Sequence, residues 1–271
     1  MTGTIFYFSG TGNTFWAVKT LCSMNKSFSS YSIEEELDVD SLIEASDVVG
    51  FAYPIYGSDI PEPMKNFMKK CQTTQLKKTI ILVTQWAFSG DGSTTSREFL
   101  SPNFIIKQSL HLNMPNNISV TKFRWVFPYT TDPIIIAKKL AKAQKKLEKY
   151  NKRIQLGEIK IAGDYPIARW VAKIQKKPFR KYYKQFLDDI TFNPTRCTNC
   201  NFCVEHCPVD NLVKGEPTPT TKGECALCLR CYNYCPTSAV QYMGADHMLQ
   251  RGNPYRMLDK DFMQELLKYK K

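Results

Sequence analysis

The sequence predicts an α/β protein: a doubly wound, parallel five-stranded sheet, followed by a small α+β domain. Three observations carry this reading. Apolar runs alternate with helix-period segments over the first half of the chain. Three of those runs end in loops of glycines with small or aromatic residues. Eight of the ten cysteines gather in two runs of identical spacing in the last third. Alternating β and α segments imply parallel strands, with ligand-bearing loops at the strands' C-terminal ends.

Thr4–Phe8 is a short apolar strand. Asn13 to about Met24 reads as a helix, because Phe15, Val18, Leu21 and Cys22 fall on one face. Val48–Tyr53 and Thr79–Thr84 are apolar and rich in β-branched residues, as buried strands are, and Pro63–Lys70 fits a helix between them. Asp132-Pro133 opens another helix, an N-cap followed by proline at the first helical position. Ile136, Leu140, Ala143, Leu147, Tyr150 and Ile154 then recur at helical spacing, so this helix is expected to cover the last strand. Gly157–Tyr165 reads as a linker. From Ile167 to Leu187 apolar residues again recur at three and four, with Pro178 expected to break or bend the pattern. The expected division is 1–155, 156–190, 191–243 and a tail, 244–271, in which no motif is read.

The loop after the first strand is Ser9-Gly10-Thr11-Gly12-Asn13-Thr14. It offers hydroxyls, backbone N–H groups and a helix N-terminus, a combination that suits a phosphate. It lacks the Gly-Lys-Ser/Thr ending of a nucleotide-hydrolysing loop and the third glycine of a dinucleotide fingerprint, Phe15 standing there instead. The loop after the second strand runs from Pro54, Ile55, Tyr56 and Gly57 to Pro61, and that after the third includes Trp86, Ala87, Phe88, Ser89, Gly90, Asp91 and Gly92. Their aromatics and glycines suit a flat ring, although Gly90-Asp91-Gly92 is also strong turn chemistry.

The loop Ser9–Thr14, directly after the first strand, resembles the phosphate loop of flavodoxins. The resemblance covers roughly the first half of the chain and implies FMN, its phosphate in Ser9–Thr14 and its ring between the other two loops. It also implies that a small residue at Gly57 lets a peptide flip and bond the flavin N5–H. The loop from Gln85 to Gly92 departs from the acidic, tyrosine-bearing loop of short-chain flavodoxins.

The cysteine runs are Cys197, Cys200, Cys203, Cys207-Pro208 and Cys225, Cys228, Cys231, Cys235-Pro236. Both read C-x2-C-x2-C-x3-C-P, which resembles the bacterial ferredoxin run for [4Fe–4S] clusters. In two-cluster ferredoxins the fourth thiolate comes from the other run. The resemblance therefore assigns Cys197, Cys200, Cys203 and Cys235 to one cluster, and Cys225, Cys228, Cys231 and Cys207 to the other. Zinc is the competing reading, but the third short-gap cysteine, the Cys-Pro ending and the duplication exceed what zinc needs. His206 reads as a neighbour of the cluster rather than a ligand. Cys22 and Cys71 read as small core residues. Taken together, the chain resembles the ferrodoxins, a family of flavodoxin–ferredoxin fusions.

Net charge is +12, and residues 132–190 hold sixteen Lys and Arg against six Asp and Glu. The basicity thus belongs to one segment. That segment could touch an anionic membrane surface or dock an acidic partner; the preferred reading is a bridge that packs the two domains together. No nucleic-acid recognition motif accompanies the charge. No stretch is apolar enough to span a bilayer and no signal peptide is read at the N-terminus, so a cytoplasmic setting is expected; the oxygen sensitivity of low-potential clusters would suit an anaerobic one. The expected function is electron transfer between FMN, two [4Fe–4S] clusters and redox-protein partners such as a ferredoxin or an oxidoreductase. The alternative is a ferredoxin-linked flavin reductase of a quinone, nitro compound or nicotinamide. No nucleophile–histidine arrangement for a substrate base is evident.

Overall fold

The computed structural model describes residues 1–88, 90–120, 129, 131–187, 189–249, 252–256 and 260–268. These fall into two compact units: 1–9, 13–114 and 139–179 in the first, and 10–12, 115–138 and 180–271 in the second.

The first unit is built on five strands: β1 (Gly3–Tyr7), β2 (Phe28–Ser32), β3 (Val48–Pro54), β4 (Lys77–Gln85) and β5 (Phe104–Asn113). They lie in the order β2-β1-β3-β4-β5, all parallel. This is the doubly wound order of the flavodoxin-like fold, whose ligand crevice sits where the winding reverses, between β1 and β3. The central strands are buried on both faces, which is why they read as unbroken apolar runs. The edge strands are different. β2 is Phe-Ser-Ser-Tyr-Ser, and β5 carries Lys107, Gln108 and His111 among its apolar residues. One face of each is partly solvated, so neither shows the apolar signal of its neighbours.

The helices of this unit are α1 (Asn13–Met24), α2 (Val39–Glu44), α3 (Glu62–Lys70) and most of α4 (Pro133–Gln155) and α5 (Pro166–Phe186). α2 is capped by Asp38, whose carboxylate accepts from the Ser41 N–H at 3.2 Å. On α4, the buried Tyr150 hydroxyl donates to the Ile81 carbonyl at 3.2 Å and Asn151 donates to the Met24 carbonyl at 3.4 Å. These contacts run to β4 and α1, whereas the sequence points α4 at the last strand. The expected linker is stitched to the sheet: Lys160 accepts from the Ser109 N–H at 2.9 Å and donates to the Lys107 carbonyl at 3.0 Å. It therefore shields the open edge of β5.

Pro178 neither ends nor divides α5, which runs as one helix of 21 residues. Proline removes one N–H and clashes with the preceding turn, but here it sits exposed, where water can satisfy the released carbonyl.

The second unit holds two small antiparallel pairs, β6 (Ile190–Phe192) with β9 (Val240–Tyr242), and β7 (Leu212–Val213) with β8 (Thr220–Thr221). Two short helices, α6 (Phe202–Glu205) and α7 (Arg230–Tyr234), carry the third cysteine of each run, Cys203 and Cys231. The tail belongs to this unit's core. Met248 donates to the Ser119 carbonyl at 2.9 Å, and Phe262 on α8 (Lys260–Lys268) packs on Tyr234, ring centroids 6.1 Å apart.

Candidate cofactor sites

Three loops follow the adjacent strands β1, β3 and β4 on one rim of the first unit's sheet. In the first, the ends are fixed by the sheet: Ser9 Oγ accepts from the Phe15 N–H at 3.3 Å, and Thr14 and Thr84 share a hydroxyl contact of 2.8 Å. α1 starts at Asn13, so its N-terminal dipole faces the loop. The middle of the loop, Gly10–Gly12, is grouped with the second unit. There Arg230 Nε donates to the Gly10 carbonyl at 3.4 Å, and Asn117 donates to Thr11 Oγ1 at 2.9 Å. Gly10 is pressed so closely on Cys228 that a Cβ would lie 2.2 Å from its carbonyl oxygen. Ser9, Thr11 and Thr14 are all buried.

In the second loop, Ile55 donates to the Thr84 carbonyl at 3.0 Å, which holds the start of the loop to the end of β4. Tyr56 and Asp59 exchange backbone bonds of 3.1 and 2.9 Å around Gly57 and Ser58, both at positive φ. That is a tight turn with both central residues left-handed, for which glycine is the natural first residue. Pro54 ends β3 itself. In the third loop, the Ala87 carbonyl accepts from Gln85 at 2.8 Å and Asn113 at 2.6 Å. Trp86 is half-buried and Phe88 is exposed. The Gly92 carbonyl accepts from the buried Tyr53 hydroxyl at 3.1 Å. Ser89 lies outside the described residues. The Asp91 carbonyl accepts from the Thr94 and Thr95 N–H groups at 2.8 and 3.1 Å, as its turn chemistry suggests. Its carboxylate goes further and pairs with Lys176 Nζ at 2.5 Å.

That lysine belongs to a feature the sequence did not reveal. The first two turns and middle of α5 pack on the second and third loops. Phe179 covers Gly57, where a Cβ would meet its ring at 2.4 Å, and Ala172 and the Ala168 carbonyl close on Gly90. Ser58 is bonded to Gln175, and Lys176 also to Thr95. Small residues at Ala168 and Ala172, four apart, were the available signal. They are weak, because alanine suits any helix.

In the second unit the cysteines line two cavities. One is walled by Cys197, Cys200, Cys203 and Cys235; the other by Cys207, Cys225, Cys228 and Cys231. Each cavity draws three thiols from one run and one from the other. The two runs also repeat one backbone path. Positive φ occurs two and four residues past the first cysteine in both, at Asn199 and Asn201, and at Leu227 and Leu229. It recurs three past the last cysteine, at Asp210 and Ser238. Leucine is uncommon in this conformation, so the geometry is imposed by the loop's task and not by residue preference. Backbone N–H groups of Asn211 and Ala239, each four past that cysteine, donate to Cys207 and Cys235 sulfurs at 3.3 and 3.2 Å.

Burial, then the neighbouring Cys235, Cys200 and Cys197, pushes the Cys203 thiol up to about 12. Burial likewise lifts Cys228 to about 12, opposed first by the Arg230 guanidinium, and holds Cys231 well above the ordinary thiol range. Thiols so placed stay protonated until a metal displaces the proton. Among the described residues no three Cys, His, Asp or Glu side chains converge as ligands of a single ion. Walls of sulfur around a cavity suit a polynuclear group. His206 is buried, its Nδ1 2.9 Å from the Phe202 carbonyl and its ring stacked on Phe202. Cys22 lies half-buried on α1, and Cys71 is buried just past the end of α3.

Residues 190–213 match the family of 4Fe-4S binding domains. No curated protein matches the chain. Among solved structures, a flavodoxin from the domain Archaea is 15% identical, with 57% of this chain and 99% of that one covered, at a TM-score of 0.37. A C101S mutant of flavodoxin from Pseudomonas aeruginosa is 11% identical, with 58% and 98% covered, at 0.40. A putative quinone reductase from Klebsiella pneumoniae is 11% identical, with 59% and 86% covered, at 0.38. The fold assignment stands on the strand order β2-β1-β3-β4-β5 and not on these scores. The chain thus carries a flavodoxin-like sheet and a ferredoxin-like 4Fe–4S domain in one polypeptide.

Proposed function

We propose that this protein transfers electrons, using one FMN held at the sheet rim and two [4Fe–4S] clusters held in the cysteine-lined cavities. The observation that carries the reading is the pair of cavities, each walled by four cysteines and built on one repeated backbone path. FMN supplies one- or two-electron chemistry and each cluster one-electron chemistry, so a chain with both can join two-electron to one-electron redox partners.

The residues present fit these groups. Ser9, Thr11 and Thr14 supply hydroxyls, Gly10 and Gly12 leave the loop without side chains, and Asn13 begins a helix, a combination that suits a phosphate. Pro54–Gly57 and Trp86–Gly92 would flank the ring, and Phe179, lying on Gly57, adds an aromatic face there. Cys197, Cys200, Cys203 and Cys235 would hold one cluster, and Cys207, Cys225, Cys228 and Cys231 the other. The N–H bonds from Asn211 and Ala239, and the buried Arg230 beside Cys228, would stabilise negative charge on the sulfurs.

The test is cofactor content of anaerobically purified protein. One FMN and about eight irons per chain are expected. About four irons would leave a single cluster. Iron without flavin would mean that Ser9–Thr14 serves another purpose. Turnover of a quinone, nitro compound or nicotinamide at rates exceeding electron delivery to protein acceptors would replace the carrier reading with the reductase one.

A further inference from the structure

We propose that α5 is a membrane-surface element that lies on an anionic bilayer. Its 21 residues divide into three sectors. Ala168, Ala172, Lys176 and Phe179 form the first and are used up against the loops of the first unit. Ile167, Trp170, Ile174, Pro178 and Tyr182, spaced three or four apart, form the second and face solvent. Ile167 is 70% exposed, Trp170 65%, Ile174 52% and Tyr182 41%. Large apolar side chains at helical spacing normally mark the buried side of a helix; here they mark the open one. Arg169, Lys173, Lys177, Arg180, Lys181 and Lys184 form the third sector, adjoining the apolar stripe, and all are exposed. The segment leading into the helix adds exposed Leu156, Ile159 and Tyr165.

The occupant follows from charge and shape. α5 contains no Asp or Glu. A face of one sign is complemented by a surface of the opposite sign. A face of a single sign beside a straight apolar stripe has no register to fix, and a uniform anionic sheet needs none. At 1.5 Å per residue the stripe from Ile167 to Tyr182 is about 22 Å long, most of the length of the helix. A tryptophan and two isoleucines beside a row of long cationic stems match a helix lying in the headgroup plane, with the cations reaching back to lipid phosphates. Among the described residues no helix is long and apolar enough to cross a membrane, so contact would be peripheral. Because the first sector is already packed, the face is presented ready-made and needs no folding on contact.

The test is flotation of the full-length holoprotein with vesicles of phosphatidylcholine containing about a third phosphatidylglycerol, against vesicles of phosphatidylcholine alone. Binding is expected to the anionic vesicles only, weakening as salt rises. The triple variant Ile167→Ser, Trp170→Ser, Ile174→Ser and the double variant Lys173→Gln, Lys177→Gln should each lower binding about tenfold or more. All five positions face solvent, so circular dichroism and cofactor content should stay at wild-type values. Trp170 emission should shift to the blue on binding, and the shift should vanish in Trp170→Phe. Equal binding to both vesicles, binding that survives the triple variant, or no binding would overturn the proposal. So would capture of an acidic ferredoxin by this face, sensitive to the same variants, without affinity for vesicles.

Discussion

At Gly10 and Gly57 the missing Cβ is a requirement of the surroundings. Gly10 is flush with the Cys228 carbonyl, so Gly10→Ala must push two backbones apart. We expect this variant to lose iron from the Cys228 cavity, read as a fall from about eight irons toward four. Gly57 combines a φ of +55° with the Phe179 ring on its open side. Gly57→Ala should cost about 1–2 kcal/mol for the left-handed backbone alone, with more from displacing Phe179, and chemical denaturation of the purified protein would measure it. The cysteines make the sharpest residue-level case. Replacing Cys197 by Ser should remove one cluster, and replacing Cys225 the other, so either variant alone should retain about four irons. If Cys197→Ser emptied both cavities, the partition of ligands would be wrong or the clusters interdependent. These spacings were legible in the sequence because a tight loop's ligands must come from neighbouring positions. Arg230, Asn117 and Phe179 were not legible, because each meets its target from far along the chain.

Among the elements, α5 departs most from its sequence reading. Pro178 suggested a break, yet the helix continues, held on either side by its own turns and by the contacts of Ala168, Ala172 and Lys176. Pro178→Ala should raise the thermal midpoint, since an interior proline costs a helix up to about 3 kcal/mol. An unchanged midpoint would mean that contacts made by the proline ring offset its cost to the helix. The Lys176–Asp91 pair, largely buried, fixes the helix to the third loop. Lys176→Met leaves a carboxylate with little water around it and should cost about 3 kcal/mol, the low end for breaking a buried pair because some solvent remains. The edge strands β2 and β5 were missed for a complementary reason. A strand partly open to water can be polar, and its pairing is set by the neighbour's backbone rather than by its own side chains.

For the whole molecule, two of the three histidines make stability depend on pH. Burial pushes His111 and His247 down to about 4 from the usual 6.5. His111 Nε2 accepts from the Ser93 N–H at 3.2 Å, which requires it neutral, and His247 contacts both Ser119 and the Tyr232 carbonyl. The unfolded chain gains these protons near 6.5 and the folded chain only near 4. The contribution is therefore whole above about 6.5 and is lost as pH falls toward 4. Urea midpoints should fall over that window, and His111→Gln should flatten part of the slope. By itself the sequence determined the α/β alternation, the three rim loops and the cysteine framework. Each of these depends on spacing along a short stretch of backbone, and such spacing is written locally. The tertiary structure alone decided that α5 closes over two of those loops with its apolar stripe outward, and that the cysteine runs fold into two separate cavities along one repeated backbone path. Those outcomes depend on which distant surfaces bury one another, and burial is a property of the folded chain that no local period encodes.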